Sequence, residues 1–478
     1  MKVVIRVELI AEWGESTTTE VCEFNRPASQ VGPETIGLSL EDGKQLLQAV
    51  QQQVVAAQAW EVGELHTVCP ACRGSQRVKD YRVRRIDTVF GTVRFRSPRI
   101  VSCDCEPPYF LSIEFCPLMP IIPERSTPEL QRLQATLAGQ TTYRRAAAIL
   151  SMFLPRSSNF NHATIRNRTL RAGRRLDAAS QRPGCDRIDE KAELAVAIDG
   201  GFVRATRAKQ GTHNFEVMTG RVAQANSKPY VFAWVGSEVP SPSTRLTELL
   251  GVSATVSTPT IAVITDGGSS VQNLHRSVPC DATPILDWFH ISMRIHYVEQ
   301  IVGGLVAKSE AELATKRQLA QLIENLRWHF WHAHSERAEA KMRQSLLLCR
   351  VVVPETTEFK EKLDHLDYRL CELLAYVNTN EASLINYRER YHARKPISTA
   401  LAESAVNQVI KARMGKSQQM RWSPQGAHLL AQVRCAVLNG NLLARLSDWA
   451  LKRADEFIQP SLEAMMLMRI FEQWSASR

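Results

Sequence analysis

Apolar and polar positions change their period several times along the chain, and each change marks off a part. The first 60 residues alternate strand-like stretches with one helical run, Leu40 to Trp60, where Leu46, Leu47, Val50, Val54 and Val55 form an apolar stripe. A cysteine-bearing segment follows, with strand patterns at Val78 to Val83, Thr88 to Phe95 and Ile100 to Cys103. A Pro-rich crossing from Pro107 to Pro128 then reads as a linker. From Glu129 to about Ala179 the period is helical: Leu130, Leu133 and Leu137, then Tyr143, Ala147, Ile149 and Leu150, a turn from Pro155 to Asn159, and a basic helix from Asn161. Two short helices and a basic third outline a helix-turn-helix, closed by Gln181-Arg182-Pro183-Gly184.

Strand patterns return at Ala192 to Ile198, Phe215 to Val222, Tyr230 to Trp234, Thr260 to Thr265 and Thr283 to Leu286, with helices at Ser243 to Leu250 and after Gly268. Three adjacent strands, a helix, a strand, a helix and a strand make the α/β order of a ribonuclease-H-like domain. After His290 strands disappear and long helical patterns fill the chain to about residue 390, with further helices from Thr399. The expected fold class is multidomain α+β, divided as an N-terminal α/β segment (1–64), a cysteine-bearing β unit (65–125), a helix-turn-helix (126–184), the first part of an α/β domain (185–290), an all-helical insertion (291–397), and the second part of that domain with C-terminal helices (398–478).

With 478 residues and 44% hydrophobic content, the chain is too long for one ordinary core and too apolar to be disordered. Its apolar runs fall far short of the roughly 20 residues that span a bilayer, and the N-terminus lacks a signal-peptide core. A cytoplasmic protein without a membrane partner is expected. Lys and Arg outnumber Asp and Glu by 59 to 49, which favours a polyanionic partner. The charge is clustered: nine basic residues lie between Arg73 and Val101 against Asp80 and Asp87, and eight Arg with no acid between Tyr143 and Leu176.

Asp199 directly follows the apolar run Leu194 to Ile198 and precedes Gly200-Gly201, which allow close approach of backbone and ligand. Asp266 repeats the arrangement after Ile261 to Thr265 and before Gly267-Gly268. Strand ends are where open α/β sheets bind ligands, and two carboxylates there repel unless a divalent cation lies between them. Each Asp-Gly alone is equally a common turn; the pairing in this strand order favours a site. The third acid is sought on a later helix, and Glu403 suits it best, because Glu403, Asn407 and Lys411 follow at i, i+4 and i+8 while Val406, Val409 and Ile410 face the core. An ordinary solvated face reads the same segment as well. Glu381 and Glu389 are weaker rivals without such a stripe.

The set Asp199-Gly200, Asp266-Gly267, Leu286-Asp287-Trp288-Phe289-His290 and Glu403 to Lys411 resembles bacterial insertion-sequence DDE transposases of the Kra group, related to Mutator-like transposases, over about residues 65 to 460. The resemblance implies a sheet interrupted by a helical insertion, with the catalytic Glu returning after it. It also implies two magnesium (or manganese) ions held by Asp199, Asp266 and Glu403, and a multimer that synapses two DNA ends. Asp287 and His290 match the family's D-x-x-H element, which supports the active site or contacts DNA; the alternative is that Asp287 N-caps a helix with His290 in its first turn.

Cys69-Pro70-Ala71-Cys72 and Cys103-Asp104-Cys105 offer four thiolates for one structural zinc, with Cys116 as a possible replacement for Cys103 or Cys105. Arg82, Arg84, Arg85, Arg94 and Arg96 largely alternate along strands and would line one phosphate-facing surface. Arg166, Arg168, Arg171, Arg174 and Arg175 would do so on the basic helix. Asn407 and Lys411, with the basic tract Arg413, Lys416, Arg421 and Trp422, would meet a DNA end. His329, His332 and His334 among Trp328 and Trp331 read as packing and surface residues.

The functional expectation is a transposase that binds element ends in double-stranded DNA and performs metal-dependent cleavage and transfer into target DNA, as a homo-oligomer. The alternatives are a nuclease or resolvase of the same fold, and a zinc-containing DNA-binding regulator without catalysis.

Overall fold

The computed structural model describes residues 1–69, 72–101, 103, 105, 114–155, 160–178, 193–209, 212–224, 227–250, 260–268, 282–415 and 420–447. The closing turn expected at 181–184, the short helix expected after Gly268 and the last C-terminal helices lie outside these residues. The chain is mixed α+β and divides into two compact units, Met1–Ala179 with Gly440–Arg478, and Ser180–Asn439. Among the described residues no helix is long and apolar enough to cross a membrane.

In the first unit, β1 (Lys2–Ile10) and β2 (Ser16–Asn25) form a hairpin, and α1 (Leu40–Leu65) starts at a capping box between Ser39 and Asp42. The cysteine segment is built on two long strands where three shorter ones were expected. β3 (Arg77–Thr88) turns through Val89-Phe90 into β4 (Gly91–Val101), with Gly91 at φ 111° and Thr88 Oγ1 donating to the Gly91 carbonyl. The expected strand Thr88 to Phe95 thus contains a hairpin turn, because its apolar residues continue across a connection that only Gly91's left-handed backbone closes. The crossing to Pro128 is more than a linker: β5 (Glu114–Phe115) adds to β4, and α2 (Leu118–Ile121) buries Leu118 against Ala59, Ile86, Val93 and Phe95.

Three helices follow, each opened by a side-chain cap. Thr127 caps α3 (Pro128–Gln140), Thr142 caps α4 (Tyr143–Phe153), and Asn161 Oδ1 accepts from Ala163 N at the start of α5 (His162–Ala178). Leu130, Ala135, Ala138, Ala146, Leu150, Ile165, Ala172 and Leu176 are among their buried residues.

The second unit holds a five-stranded sheet of β6 (Leu194–Lys209), β7 (Thr212–Gln224), β8 (Tyr230–Trp234), β9 (Ile261–Thr265) and β10 (Thr283–Leu286), in the order β10-β9-β6-β7-β8. The first three strands are antiparallel, and β9 and β10 run parallel to β6. Alternate residues Leu194, Val196, Ile198, Ile261 and Val263 pack beneath α6 (Pro242–Leu250). The opposite residues Ala262 and Ile264 join the core of α7 (Trp288–Gly303), α8 (Glu310–Trp331), α9 (Ser335–Val351) and α10 (Thr357–Thr379). These helices bury Ile291, Ile295, Val298 and Val302; Leu319, Ile323, Leu326 and Phe330; and Phe359, Leu363, Leu366, Leu370, Leu373 and Val377. Alternating steps of four and three are the spacing of a bundle core. After α11 (Tyr387–His392) come α12 (Ala400–Val406), a π turn (Asn407–Lys411), α13 (Ala412–Met414) and α14 (Pro424–Asn439), which packs on β8.

Candidate active site and metal centre

The pairing of β6 with β9 ends at Ala197 opposite Ile264. Asp199 lies two residues past that pair on β6, and Asp266 two residues past it, just beyond the end of β9. Asp266 sits at a strand end as expected. Asp199 does not: β6 runs on to Lys209 because β7 still pairs with it, Thr219 lying opposite Asp199. The aspartate marks the end of parallel pairing within a longer strand.

Each aspartate is held by its own turn or strand neighbours. Asp199 Oδ1 accepts from Gly200 N at 2.7 Å, and Asp266 Oδ1 from Gly268 N at 2.9 Å. Gly267 has φ 79°, and a Cβ there would press on the Asn380 amide and Leu286. Tyr376 of α10 donates its hydroxyl to the Asp266 carbonyl at 2.9 Å, so the helical insertion grips the turn that carries Asp266. The paired glycines after Asp199 make room for protein: a Cβ at Gly200 would strike Glu216, and one at Gly201 would strike Ile410 and Val406 of the Glu403 helix.

Glu403 is exposed on α12, with its N–H donating to the Thr399 carbonyl, while Ala402, Ala405, Val406, Val409 and Ile410 are buried. Burial chiefly, then the charges of Asp266 and Glu403, pushes the Asp199 carboxyl above its ordinary range, while the Gly200 N–H and His290 oppose the shift. Among the described residues, no trio of carboxylates brings its oxygens within 4.8 Å of one another.

Asp287 is occupied otherwise. It is fully buried, caps α7 by accepting from Phe289 N at 2.7 Å, and accepts from the Thr399 hydroxyl. His290 Nε2 lies 3.7 Å from its Oδ2. Asp287 thereby ties the α7 start to the residue just before the Glu403 helix.

In the first unit, Cys69, Cys72, Cys103 and Cys105 bring their sulfurs within 4.8 Å of one another and could hold zinc. Cys69 and Cys105 are 3.6 Å apart and Cys72 and Cys103 3.3 Å, spacings a tetrahedral thiolate site accommodates. Gly74 N donates to Cys72 Sγ, and Arg73 adopts φ 60° to close the knuckle. Hydrogen bonding to Cys72 pushes the Cys103 and Cys105 thiols up. Cys116 is elsewhere, 3.0 Å from the Ser97 hydroxyl.

The basic residues divide. Register places Arg85 opposite Arg94 and Val83 opposite Arg96, on one face, and all three arginines are exposed. Arg82 and Arg84 alternate to the other face, where Arg84 donates to the Ile122 carbonyl at 2.8 Å, so the five do not form one surface. On α5, Arg166, Arg171 and Arg174 are exposed, Arg171 lying 3.8 Å from Glu124. Arg168 instead pairs with Asp87 at 2.7 Å, and Arg175 pairs with Glu124 and donates to Gln131. Asn407 and Lys411 are exposed beyond Glu403. His332 bonds the Trp328 carbonyl and lies tilted against its ring, 4.2 Å between centroids, with His334 5.2 Å from the same ring.

Sequence reasoning missed Tyr376 and Thr399, which bond the Asp266 carbonyl and Asp287, and Arg221 and Arg434, which bond Gln408; these contacts span long separations and leave no local signature. No protein-family model and no curated protein matches the chain. Among solved structures, the Drosophila P element transposase strand transfer complex aligns with 66% of this chain and 93% of that chain, at 13% identity and a TM-score of 0.31.

Proposed function

We propose that the second unit is a ribonuclease-H-like catalytic domain and that the protein is a DDE transposase of the Kra-group kind, cutting and joining DNA at the ends of an insertion element. What supports this reading is that Asp199 lies just past the parallel β6–β9 pairing of a β10-β9-β6-β7-β8 sheet, Asp266 just past the end of β9, and that the charges of Asp266 and Glu403 both act on the Asp199 carboxyl. Mutually repelling carboxylates with oxygen-only donors suit hard divalent cations such as magnesium or manganese. Bound there as a pair, such ions would supply activation of water or a 3′-hydroxyl and stabilisation of the leaving oxygen. Asp199 and Asp266 hold their positions through Gly200, Gly268 and Tyr376, Glu403 reaches in from α12, and Lys411 lies on the exposed side to neutralise a phosphate. His290 sits where it can contact the DNA backbone.

The four-cysteine unit, a structural zinc site in this reading, the α5 arginines Arg166, Arg171 and Arg174, and Arg85, Arg94 and Arg96 supply phosphate contacts for duplex ends. A homo-oligomer would synapse two ends. The test is incubation of the protein and magnesium with a labelled duplex of the DNA flanking its coding region. Transposition requires both nicked and joined products. Nicking without joining indicates a nuclease or resolvase, and metal-independent binding alone indicates a regulator.

A further inference from the structure

The helix carrying Glu403 contains one wide turn, and its origin lies in the spacing of buried residues. Ala405 and Val406, Val409 and Ile410, and Arg413 and Met414 are buried pairs, each four residues after the last. An α-helix has about 3.6 residues per turn, so each step of four overshoots by about 40° and would swing the third pair away from the sheet. The π turn at Asn407–Lys411, closed over five residues, takes back that overshoot. The exposed side benefits equally. Glu403, Asn407 and Lys411 are also four apart, and a regular α-helix would fan them over about 80°. With the π turn, acid, amide and base stand in one row.

The wide turn diverts a donor. Ala412 N–H bonds the Asn407 carbonyl, five residues back, whereas in an α-helix it would serve Gln408. Arg434 of α14 supplies a replacement, its Nη2 donating to the Gln408 carbonyl. Arg434 is buried, which pushes its pKa down to about 10 and still leaves it a cation at neutral pH. From the other side, Arg221 of β7 donates to Gln408 Oε1 at 2.8 Å. Gln408 is thus held by backbone and side chain, from β7 of the sheet and from α14, which packs on β8.

We propose that Arg434, assisted by Arg221, is a positioning residue: by fixing the π turn it sets Glu403 in line with Asn407 and Lys411 and at its place beside Asp199 and Asp266. The proposal rests on the assignment of Glu403 to the metal site.

The test compares Arg434→Met, Arg434→Lys, Arg221→Met and Glu403→Gln in the full-length protein. Manganese binding to the DNA-free protein is read by electron paramagnetic resonance, and nicking of the labelled flanking duplex is followed across a magnesium titration. Arg434→Met should bind the duplex as the parent does, yet lose roughly 10- to 100-fold in manganese affinity and nicking rate, the usual range for a residue that orients a ligand. Arg434→Lys, which keeps a donor, should recover part of the loss, and Arg221→Met should show a smaller loss of the same kind. A folded Arg434→Met with unchanged manganese affinity and nicking overturns the proposal. Should Arg434→Met not fold, an unchanged Arg221→Met overturns it, and a weakened one supports it. Full nicking by Glu403→Gln overturns the parent reading instead.

Discussion

Asp199 and Asp266 stand level in the parallel register, each two residues beyond the last β6–β9 pair of Ala197 and Ile264. Nothing along the chain connects them; 67 residues and one strand order do. The charge of Asp266 acts on the Asp199 carboxyl and has a pH consequence.

Burial and the neighbouring charges of Asp266 and Glu403 raise the Asp199 pKa in the folded protein. An acid with a raised folded pKa costs stability while ionised, so the cost is full at neutral pH and fades as pH falls through the raised value toward the unfolded one. In chelator-treated protein, Asp199→Asn should therefore raise the melting temperature at pH 7 and give little change near pH 4. Equal melting temperatures at pH 7 would contradict this picture of the site.

Gly201 lets the Glu403 helix approach the sheet, since a Cβ there would meet Ile410 and Val406. Gly201→Ala should cost about 1–3 kcal/mol as the helix is pushed outward. Nicking should fall further than the unfolded fraction in urea titrations explains. A variant that nicks normally would remove the close approach from the catalytic argument.

Tyr376→Phe deletes the hydrogen bond to the Asp266 carbonyl while keeping the ring beneath Arg294, 4.2 Å from its centroid. The expected loss of stability is about 1 kcal/mol. Because the freed carbonyl belongs to the turn bearing Asp266, nicking at limiting magnesium should drop more than nicking at saturation. Identical magnesium dependence in both proteins would limit Tyr376 to packing.

Chelation or Cys72→Ser should release one zinc per chain, measured by mass spectrometry of the metal, and unfold the 77–101 hairpin region first in hydrogen exchange. Cys116→Ser should keep its zinc, because Cys116 faces Ser97 rather than the other thiols.

The α5 arginines should separate by role. Arg168→Ala leaves the buried Asp87 carboxylate to Arg85 at 3.4 Å and the Thr92 hydroxyl, and should cost part of the roughly 3–5 kcal/mol that breaking a buried pair costs. Arg166→Ala and Arg174→Ala should leave the melting temperature in place and weaken duplex binding, each lowering the salt dependence by about one ion. A large loss of stability in Arg174→Ala, or none in Arg168→Ala, would reverse the division.

Local pattern alone determined much of this protein. Short apolar runs located β6, β7, β8, β9 and β10, buried on both faces at β8 and β9, and a helical period marked the long helices after His290, because burial imposes its pattern on the residues themselves. Four cysteines announced their cluster, since few other arrangements put thiols in such pairs. The acids were legible as candidates only. Which arginines face outward depended on a hairpin turn at Val89-Phe90 that shifts alternation between two strands, and on Asp87 and Glu124, partners remote in sequence from Arg168 and Arg175. The helix cap at Asp287 was one of two readings of the sequence; tertiary structure alone chose it, gave Asp287 to Thr399 as well, brought the charge of Asp266 to bear on Asp199, and brought Arg434 to Gln408. Each of these depends on strand order or on helix packing across long separations, and a one-dimensional pattern carries the period of an element but not the identity of its neighbour.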